Sequence, residues 1–472
     1  MEPQMNTTAD TIAAISTPAG VGGIAVIRLS GPQAYDIAAR FWKGSDLSKA
    51  ASHTAHLGYI LDADGGAIDQ CVATIFHAPN SYTGEDTIEF SIHGGRWLQQ
   101  AALIRMTECG ARMAEPGEFT RRAFLNGRID LAQAEGIADL IAASSRAAAR
   151  MAVTQTRGDF SRRLSQLRES LIEFASLLEL ELDFSEEDVE FADRTRLMEL
   201  CDETLRIVRR LADSYRAGNV FKHGVPVAIA GAPNAGKSTL LNLLAGDERA
   251  IVSDIPGTTR DVIEDAVEID GVLYRFYDTA GLRDTSDEIE RLGIDRARRK
   301  IADAQLLLWL HDATNSSLLI TNYPLEEKPT LILLNKSDLV SESEIERLKQ
   351  SFHQAYPDAE ILPFSAKTGE GEEELKAWLK KQTQTDFDPQ TELMVSNGRH
   401  YEALTRAADA LTRAREGLNA GTADDETIHY PLSADFIAQD VREAILHLSS
   451  ITGSITSTDL LSSIFSRFCI GK

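Results

Sequence analysis

A glycine-rich loop of eight residues constrains this chain more than any other feature. The loop reads Gly-Ala-Pro-Asn-Ala-Gly-Lys-Ser from Gly231 to Ser238, and it follows an apolar, strand-like run at residues 225–230. Glycines let the backbone wrap closely around phosphates, so that successive N–H groups and the next helix N-terminus face the anion. In such a loop Lys237 would reach the β- and γ-phosphates, and the Ser238 hydroxyl would bind Mg²⁺. The pattern therefore predicts a nucleotide-binding domain of the P-loop class.

The composition narrows the class of protein and its location. The chain has 472 residues, 43% of them hydrophobic, which is enough for roughly two to four domains with large cores. No apolar run approaches the ~18 residues of a membrane span, and the first residues lack the pattern of a secretory signal. The four cysteines show no C-x-x-C spacing, which indicates a reducing compartment without disulfides or structural zinc. We therefore expect a cytoplasmic protein that does not enter a membrane.

The net charge bears on nucleic-acid binding. Lys and Arg total 48 against 72 Asp and Glu, for a formal charge of −24. Phosphate contacts need a basic surface, so a chain this acidic is not expected to bind nucleic acid nonspecifically. A local basic patch or a more basic partner could still bring in RNA.

The pattern of apolar residues divides the chain into four segments. Residues 1–127 contain short strand-like runs with turns, which indicates an α+β domain. Residues 128–217 and 383–472 have helical periodicity, and residues 222–382 alternate strands with helices. Gly-Asn at 218–219 and His-Gly at 223–224 are candidate hinges.

These segments predict a multidomain chain of α/β and all-α parts. A helical domain would form from two chain segments that pack together. Between them lies an inserted Ras-like P-loop domain with a mostly parallel sheet, expected at residues 225–230, 266–269, 273–277, 306–310, 330–334 and 361–363.

Two motifs after the loop predict contacts with the γ-phosphate and its metal ion. Asp278-Thr-Ala-Gly281 follows a strand-like run. An aspartate there holds Mg²⁺, partly through water, and the glycine N–H can sense the γ-phosphate. Residues 256–261, Pro-Gly-Thr-Thr-Arg-Asp, lie between the two motifs, and either Thr258 or Thr259 would complete the Mg²⁺ shell.

Two more motifs predict that the base is guanine. Residues 335–338, Asn-Lys-Ser-Asp, end an apolar strand, and Asp338 can accept hydrogen bonds from the ring N–H and the exocyclic amine of guanine. Such a site rejects adenine, because a buried carboxylate would be left unpaired. Residues 365–367 would close the base pocket through their backbone, so we predict GTP as the ligand. The predicted GTP contacts are Asn234, Ala235, Gly236, Lys237, Ser238, Thr239, Ser253, Asp254, Ile255, Pro256, Gly257, Thr258, Thr259, Asp278, Thr279, Ala280, Gly281, Asn335, Lys336, Asp338, Ser365, Ala366 and Lys367.

The residue after the Asp278–Gly281 motif affects how water would be activated. Many GTPases place a glutamine there to orient the attacking water, whereas this chain has Leu282, which cannot hydrogen-bond. The water must therefore be positioned indirectly or by another acidic or amide group. Residues 283–290 supply several carboxylates, and for any one of them a solvated surface charge is the plainer interpretation.

Signatures at both ends of the chain extend these motifs. Residues 17–23 read Thr-Pro-Ala-Gly-Val-Gly-Gly, and residues 79–86 read Pro-Asn-Ser-Tyr-Thr-Gly-Glu-Asp. Residues 116–126 read Pro-Gly-Glu-Phe-Thr-Arg-Arg-Ala-Phe-Leu-Asn, and the chain ends Phe-Cys-Ile-Gly-Lys at 468–472. With the nucleotide motifs, this sequence closely resembles the bacterial and organellar tRNA modification GTPase MnmE (TrmE) family over essentially its whole length.

The resemblance implies an activity, cofactors and partners. Members of the family dimerise through the N-terminal domain, which binds a tetrahydrofolate one-carbon carrier in its 5-formyl or 5,10-methylene form. With the FAD protein MnmG (GidA) they install an aminomethyl or carboxymethylaminomethyl group at C5 of the wobble uridine, position 34, of certain tRNAs. Their G domains pair in a potassium-dependent way. Potassium then takes the place of an arginine finger beside the phosphates.

The resemblance also implies roles for individual residues. Asn234, with backbone groups of Ser253, Ile255 and Thr258, would bind K⁺, and Ser238 with Thr259 would bind Mg²⁺. Glu290 matches the water-orienting glutamate and is, with Lys237, the predicted catalytic residue. The positions matching the folate contacts are Arg28, Glu89, Arg128 and Lys472. Some relatives have Lys where this chain has Arg128, which keeps the charge but changes the geometry. Cys469 matches the cysteine that matters for modification.

Two other functions fit part of the pattern. A switch-type GTPase of ribosome assembly would share the nucleotide motifs but has no use for a folate-binding N-terminal domain. A phosphotransferase is disfavoured, because residues 335–338 and the segments around Thr259 and Gly281 suit a hydrolysis cycle.

Overall fold

We analysed a computed structural model of the chain. It describes residues 10–183, 194–246, 264–278, 304–315, 328–383, 387, 392–420, 434–454, 461, 464–466, 468 and 471. The chain forms two compact units, each built from separate segments. Unit 1 comprises Met1–Ala138, Gln155–Glu173 and Arg442–Lys472, and unit 2 comprises Asp139–Thr154 and Phe174–Val441.

Unit 1 is built on a seven-stranded sheet, in the order β3-β4-β5-β6-β2-β1-β7. Its neighbouring strands run antiparallel, except for β1 and β7, which are parallel. Alternate residues of β2 and β6, including Ile27 and Phe90, are buried beneath the sheet with Ile75 and Phe41. The strands are β1 (Ile12–Ile15), β2 (Ile24–Ser30), β3 (Trp42–Lys43), β4 (Ala55–Leu61), β5 (Ala67–Phe76), β6 (Thr87–His93) and β7 (Arg112–Met113). The helices of this region are α1 (Ala34–Ala38), α2 (Arg96–Glu108) and α3 (Glu118–Leu125).

The end of the chain packs within unit 1. Phe465 and Phe468 form an apolar cluster with Leu131, and Phe124 packs against it. The carbonyl oxygen of Gly471 accepts a hydrogen bond from the Ser16 hydroxyl at 3.0 Å. The last described residues therefore lie beside the carboxyl end of β1.

The helices that follow occur in two stretches of chain. The first stretch contains α4 (Leu131–Ala142), α5 (Arg146–Thr156), α6 (Asp159–Asp183), α7 (Arg194–Asp213) and α8 (Tyr215–His223). Later in the chain come the long helices Gly398–Ala420 and Ala434–Thr452. In unit 2, α7 packs on Gly398–Ala420, and the Cys201 thiol donates to the Leu411 carbonyl at 3.5 Å. The predicted association of the two helical segments is confirmed.

One predicted hinge is wrong. Gly218 and Asn219 lie inside α8 and do not separate two elements. A Cβ at Gly218 would collide with the Val395 carbonyl oxygen, so glycine is needed here for close packing. Gly224, with φ +75°, ends the helix and leads into the next strand.

The nucleotide domain lies within unit 2 and has a six-stranded sheet in the order β13-β12-β11-β8-β10-β9. All neighbouring pairs are parallel except β9 and β10, so the predicted mostly parallel sheet is confirmed. The strands are β8 (Val225–Gly231), β9 (Glu264–Ile269), β10 (Val272–Asp278), β11 (Leu306–Asp312), β12 (Thr330–Asn335) and β13 (Glu360–Pro363). The helices are α9 (Lys237–Ala245), α10 (Glu342–Ala355) and α11 (Glu372–Gln382); the two later helices named above are α12 (Gly398–Ala420) and α13 (Ala434–Thr452).

Both faces of this sheet are covered. One apolar cluster contains Ile229 and Leu308 with Leu240 of α9, and the other contains Ile332 with Phe352 of α10. Because β8, β11 and β12 are parallel, their carboxyl ends meet at one edge of the sheet, where ligands bind in such folds. Across the described ranges, no helix has the length and apolar content to cross a lipid bilayer.

Candidate nucleotide site and N-terminal cavity

The phosphate loop joins β8 to α9 at the carboxyl edge of the sheet. Gly236 has φ +102° and precedes the first turn of α9, which is a backbone conformation that favours glycine. The Lys237 side chain is buried, and its ammonium group donates to the Gly231 carbonyl at 2.7 Å and to the Ala232 carbonyl at 3.2 Å. The ammonium group is therefore already directed into the concave side of the loop, where a phosphate would lie.

The polar side chains of the loop face solvent. Asn234 is exposed and has φ +64°, a left-handed conformation that asparagine tolerates better than most residues. Ser238 and Thr239 are exposed at the N-terminus of α9, and the Ser238 hydroxyl has no protein partner within the described part of the chain. Ser238 and Asn234 thus present oxygen atoms at the mouth of the loop, as bound cations require.

The phosphate loop and the base loops are joined by the Asn335 side chain, which is 2% exposed. Its Nδ2 donates to the Ala235 carbonyl at 2.6 Å, and its Oδ1 accepts from the Ala366 amide at 2.9 Å. These two bonds define the orientation of the amide. The arrangement brings together two predicted contact segments that are 100 and 31 residues from Asn335 in the sequence.

The base-binding carboxylate is also held in place. Asp338 is exposed, and its Oδ1 accepts a hydrogen bond from the Ser365 hydroxyl at 2.7 Å. Ser365 is fully buried, and its amide donates to the Glu370 carbonyl at 3.0 Å. Lys367 is exposed next to this turn. The structure therefore brings the predicted base-binding residues into one loop cluster, in which the Asp338 side chain is exposed.

Asp312 also belongs to this cluster, although it was not among the residues predicted from the sequence. Asp312 ends β11 directly beside Asn335 in the parallel register, and its Oδ2 is 2.6 Å from the Lys336 ammonium group. Burial by itself raises the pKa of Asp312, but hydrogen bonds from Lys336 and Thr314 outweigh it and hold the pKa below the ordinary value of 3.8. An acidic residue that ends a largely apolar strand is the signal that could have identified it.

Several predicted site residues lie outside the described residues. Of the two predicted Mg²⁺ ligands, Ser238 is described and Thr259 is not. The backbone of Asp278 ends β10, at the carboxyl edge of the sheet. The predicted site residues outside the described ranges are Ser253, Asp254, Ile255, Pro256, Gly257, Thr258, Thr259, Thr279, Ala280, Gly281, Glu290, Cys469 and Lys472.

A second candidate site lies in unit 1, where two of the predicted folate residues form an ion pair. Arg28 and Glu89 are directly opposite each other on β2 and β6, with Nη2 and Oε1 2.7 Å apart. The Arg28 guanidinium also lies 5.0 Å from the centre of the Tyr82 ring. Tyr82 and Arg128 line a cavity of about 430 Å³. Tyr82 therefore links the ion pair to the third predicted folate residue that the structure describes.

The other lining residues of this cavity were not predicted individually. They are His53, Phe76, Asn80 and Ser81. Asn80, Ser81 and Tyr82 belong to the signature at residues 79–86, so their location within that motif was the available signal. His53 and Phe76 come from elsewhere in the chain and carried no such signal.

A largely buried network of ion pairs connects α3 to β7 and to Asp10 in unit 1. Glu118 is fully buried and pairs with Arg122 at 2.9 Å and with Arg112 at 2.6 Å. Asp10 pairs with both arginines at 2.7 Å and 2.6 Å. Burial by itself raises the pKa of Glu118, but hydrogen bonds from Arg112, the Glu115 amide and Arg122 outweigh it and lower the pKa below its ordinary value of 4.5.

Comparisons with known proteins cover nearly the whole chain. Residues 11–128 match the family described as GTP-binding protein TrmE N-terminus, and residues 131–469 match the MnmE helical domain. The tRNA modification GTPase MnmE of Christiangramia forsetii is 46% identical, over 98% of this chain and 99% of that protein. The protein of the same name from Bacteroides fragilis is 47% identical, over 98% of this chain and 99% of that protein.

Among solved structures, Aquifex aeolicus Era bound to GDP·AlF4⁻ is 26% identical over 42% of this chain and 68% of that chain, with a TM-score of 0.29. A TM-score this low supports no further comparison. The assignment rests on the two domain families and on relatives that share almost half of their residues with this chain from end to end. The chain belongs to the MnmE family of tRNA modification GTPases.

Proposed function

We propose that this chain is a GTP hydrolase that drives a step in the modification of the wobble uridine of tRNA. The observation that carries the proposal is the Asn335 side chain, which joins a phosphate loop to a guanine-type base loop in one site. Lys237 would stabilise negative charge on the β- and γ-phosphates, and Asp338 would select guanine. Residues of the N-terminal and helical families flank this domain, as in the relatives named tRNA modification GTPase MnmE.

The cations are part of this proposal. Mg²⁺ would be held by Ser238 and Thr259, and K⁺ by Asn234 with backbone groups of Ser253, Ile255 and Thr258. The exposed oxygen atoms of Ser238 and Asn234 at the mouth of the loop support both assignments. The two cations would offset charge on the phosphates while Glu290 orients the attacking water. Leu282 cannot take the role of Glu290, because its side chain has no hydrogen-bonding group.

The N-terminal cavity is proposed to hold the tetrahydrofolate one-carbon carrier. A volume of about 430 Å³ is within the range of small-molecule sites, and its Arg128 and Tyr82 suit an anionic, aromatic ligand. The Arg28–Glu89 pair would orient the ligand from the neighbouring strands. The hydrogen bond between Ser16 and Gly471 supports a contribution from the adjacent Lys472, and Cys469 is proposed to act in the same modification.

The assembly is proposed from the family. Two chains would dimerise through residues 1–127, with helical residues 128–217 and 383–472 flanking the nucleotide domain at 222–382. The partner would be the FAD protein MnmG, and the location the cytoplasm. The second candidate, a ribosome-assembly GTPase, is supported by the nucleotide site alone and leaves the N-terminal cavity without a role.

Turnover of GTP in potassium buffer against sodium buffer tests the hydrolysis mechanism. We expect clearly faster hydrolysis in potassium, and a Glu290→Ala variant that still binds GTP but hydrolyses it slowly. Equal rates in the two buffers would contradict the potassium site, and full activity of the variant would contradict the role of Glu290.

The modification role is tested separately. Nucleosides from the tRNA of cells lacking this gene should have lost the C5 group at the wobble uridine. A ribosome-assembly GTPase predicts normal nucleosides in these cells. Binding of 5-formyltetrahydrofolate to the full chain, lost in an Arg128→Ala variant, would distinguish the two functions in vitro.

A further inference from the structure

Unit 2 contains a groove lined by four arginines, which we call the arginine groove. Arg206, Arg209 and Arg210 lie on α7, and Arg415 lies on α12, around a cavity of about 570 Å³. The three arginines of α7 are spaced at i, i+3 and i+4, so they share one face of the helix. Two carboxylates, Asp202 and Asp213, and the buried Leu205 complete the lining.

The charge of the groove is opposite to that of the chain as a whole. The lining has four arginines and two aspartates, a net charge of +2 by this count, whereas the chain carries −24. On an acidic surface, like-charge repulsion keeps polyanions away from every region except a local basic one. The arginine groove is such a region.

Two of the guanidinium groups are held by neighbouring carboxylates. Arg210 makes a two-pronged ion pair with Glu392 and lies 3.9 Å from the centre of the Phe387 ring. Arg415 is hydrogen-bonded to Asp202 on the facing helix. Both side chains are about half exposed to solvent.

The other two guanidinium groups, those of Arg206 and Arg209, make no ion pair with any carboxylate that the structure describes. Arg209 donates to the neutral Thr412 hydroxyl at 2.9 Å, which fixes its position without neutralising its charge. Arg206 is exposed, and within the described ranges neither it nor Arg209 has a carboxylate within 4.0 Å. Two exposed arginines without an ion pair to a described carboxylate suit binding of phosphate groups, because the planar guanidinium donates two parallel hydrogen bonds to each.

We propose that the arginine groove binds the sugar–phosphate backbone of the RNA substrate. This inference rests on the proposed function, which makes RNA the substrate. The lining also argues against a docked protein segment. Protein interfaces bury apolar side chains at their centre, whereas Leu205, the apolar residue in the lining, is 4% exposed and offers no surface.

The test compares a groove variant with a charge-matched control. The groove variant is Arg206→Ala with Arg209→Ala, and the control is Arg347→Ala with Lys349→Ala on the exposed face of α10. Each removes two positive charges. Binding of an unmodified tRNA transcript to the full chain is followed by fluorescence anisotropy at increasing salt concentration, and GTP turnover is measured on every variant.

We expect the groove variant to bind the transcript about 10-fold more weakly at low salt. The slope of log K against log salt should fall in magnitude by about 1.5 to 2, because two phosphate contacts release counterions. The control should keep both affinity and slope. Arg206→Lys with Arg209→Lys should restore the slope and only part of the affinity, since lysine keeps the charge but not the fork. GTP turnover without RNA should be equal in all variants.

Four results would overturn the assignment. An unchanged slope in the groove variant means that these arginines do not contact phosphate, and an equal loss in the control means that only overall charge matters. Loss of poly-glutamate binding with unchanged RNA binding would assign the groove to an acidic protein. If the unaltered chain did not bind RNA at all, the groove assignment would fall. The modification role would stand, because a more basic partner could hold the RNA, and the nucleoside analysis above tests that role separately.

Discussion

The buried amide of Asn335 determines how the phosphate and guanine loops meet. Its NH2 group and its carbonyl oxygen both have partners, at 2.6 Å and 2.9 Å, and neither group has access to water to replace them. A buried polar group that loses its partner costs about 1–3 kcal/mol. The geometry of the nucleotide site therefore depends on an N–H donor facing the Ala235 carbonyl and an oxygen acceptor facing the Ala366 amide.

Replacing Asn335 by aspartate should weaken GTP binding. Asn335→Asp puts an oxygen in place of the NH2 group, so a carboxylate oxygen would face the Ala235 carbonyl. We expect GTP affinity to fall about 10- to 100-fold, the equivalent of about 1–3 kcal/mol. Fluorescent GTP titration measures it, and Asn242→Asp on the exposed side of α9 is the control. Equal affinities of the two variants would contradict the role of this amide.

Asp312 acts at the neighbouring position by holding Lys336. Because the pKa of Asp312 is below 3.8, the carboxylate is ionised at neutral pH and holds the ammonium group in place. Asp312→Asn keeps the shape and removes the charge, so GTP affinity should fall several-fold, on the order of 1 kcal/mol. Asp270→Asn, which removes an exposed pair with Lys380, is the matched control and should leave affinity unchanged. A normal GTP titration of Asp312→Asn would exclude this role.

Two glycines of the nucleotide domain have a positive φ but differ in what surrounds them: Gly236 lies between β8 and α9, and Gly271 lies between β9 and β10. Gly236 has φ +102°, and a Cβ there would collide with the Asn335 Nδ2 atom. Gly271, in the turn between β9 and β10, has φ +86° and no atom within 4 Å of an added Cβ. Both glycines have a positive φ, but of the two only Gly236 lies against the nucleotide site.

Alanine substitutions separate these two effects. Gly271→Ala should lower the free energy of unfolding by about 1–2 kcal/mol through backbone strain and leave GTP binding intact. Gly236→Ala should add a large loss of GTP affinity, because the methyl group displaces Asn335. Chemical denaturation and GTP titration of both variants measure the difference. Normal GTP binding by Gly236→Ala would show that the loop adapts without cost.

In unit 1 the Glu118 network ties α3 to the strands, and its contribution depends on pH. The folded pKa values of Asp10 and Glu118 lie below their ordinary values of 3.8 and 4.5. Stabilisation is therefore fully present above these ordinary values and is lost as pH falls through them toward the folded values.

Glu118→Gln should lower the free energy of unfolding by about 3 kcal/mol at neutral pH, because it leaves Arg122 buried with fewer charge partners. The difference from the unaltered chain should shrink between about pH 5 and about pH 3. Denaturant titrations across this range measure it. The control Glu108→Gln breaks a surface pair with Arg105 and should cost at most about 0.5 kcal/mol. A pH-independent difference would contradict the network's role.

The whole chain consists of two compact units, and the nucleotide site belongs to one of them. A ligand stabilises the folded state that binds it, by about 2.7 kcal/mol at a concentration 100 times its dissociation constant. Each unit has its own apolar clusters, so the two can respond separately.

Calorimetry should therefore resolve two transitions. GDP should raise the midpoint of the transition of unit 2, whereas Glu118→Gln should lower that of unit 1. Asn335→Asp should abolish most of the GDP shift without moving the other transition. A single transition that GDP and Glu118→Gln both displace would show that the chain unfolds as one cooperative body.

Local sequence was enough for the class of site and its ligand. The residues from Gly231 to Ser238 form the predicted loop between a strand and a helix, and the strands of the nucleotide domain begin and end within two residues of expectation. Such motifs act through the backbone conformation and hydrogen bonds of a few consecutive residues, so they can be recognised without knowledge of the tertiary structure. Gly218 was predicted wrongly as a hinge, because this glycine is needed for close packing against Val395, which is far away in the sequence.

By itself, the sequence determined that a phosphate loop and a guanine-type loop are present, which residues form them, and which family the chain resembles. Only the tertiary structure decided that Asp312 holds Lys336, that Tyr82 connects Arg28 to the cavity of Arg128, and that four arginines form a groove on an acidic chain. The physical reason is the distance along the chain. Ion pairs, cavities and grooves form between elements that packing brings together, and no short stretch of sequence contains both partners.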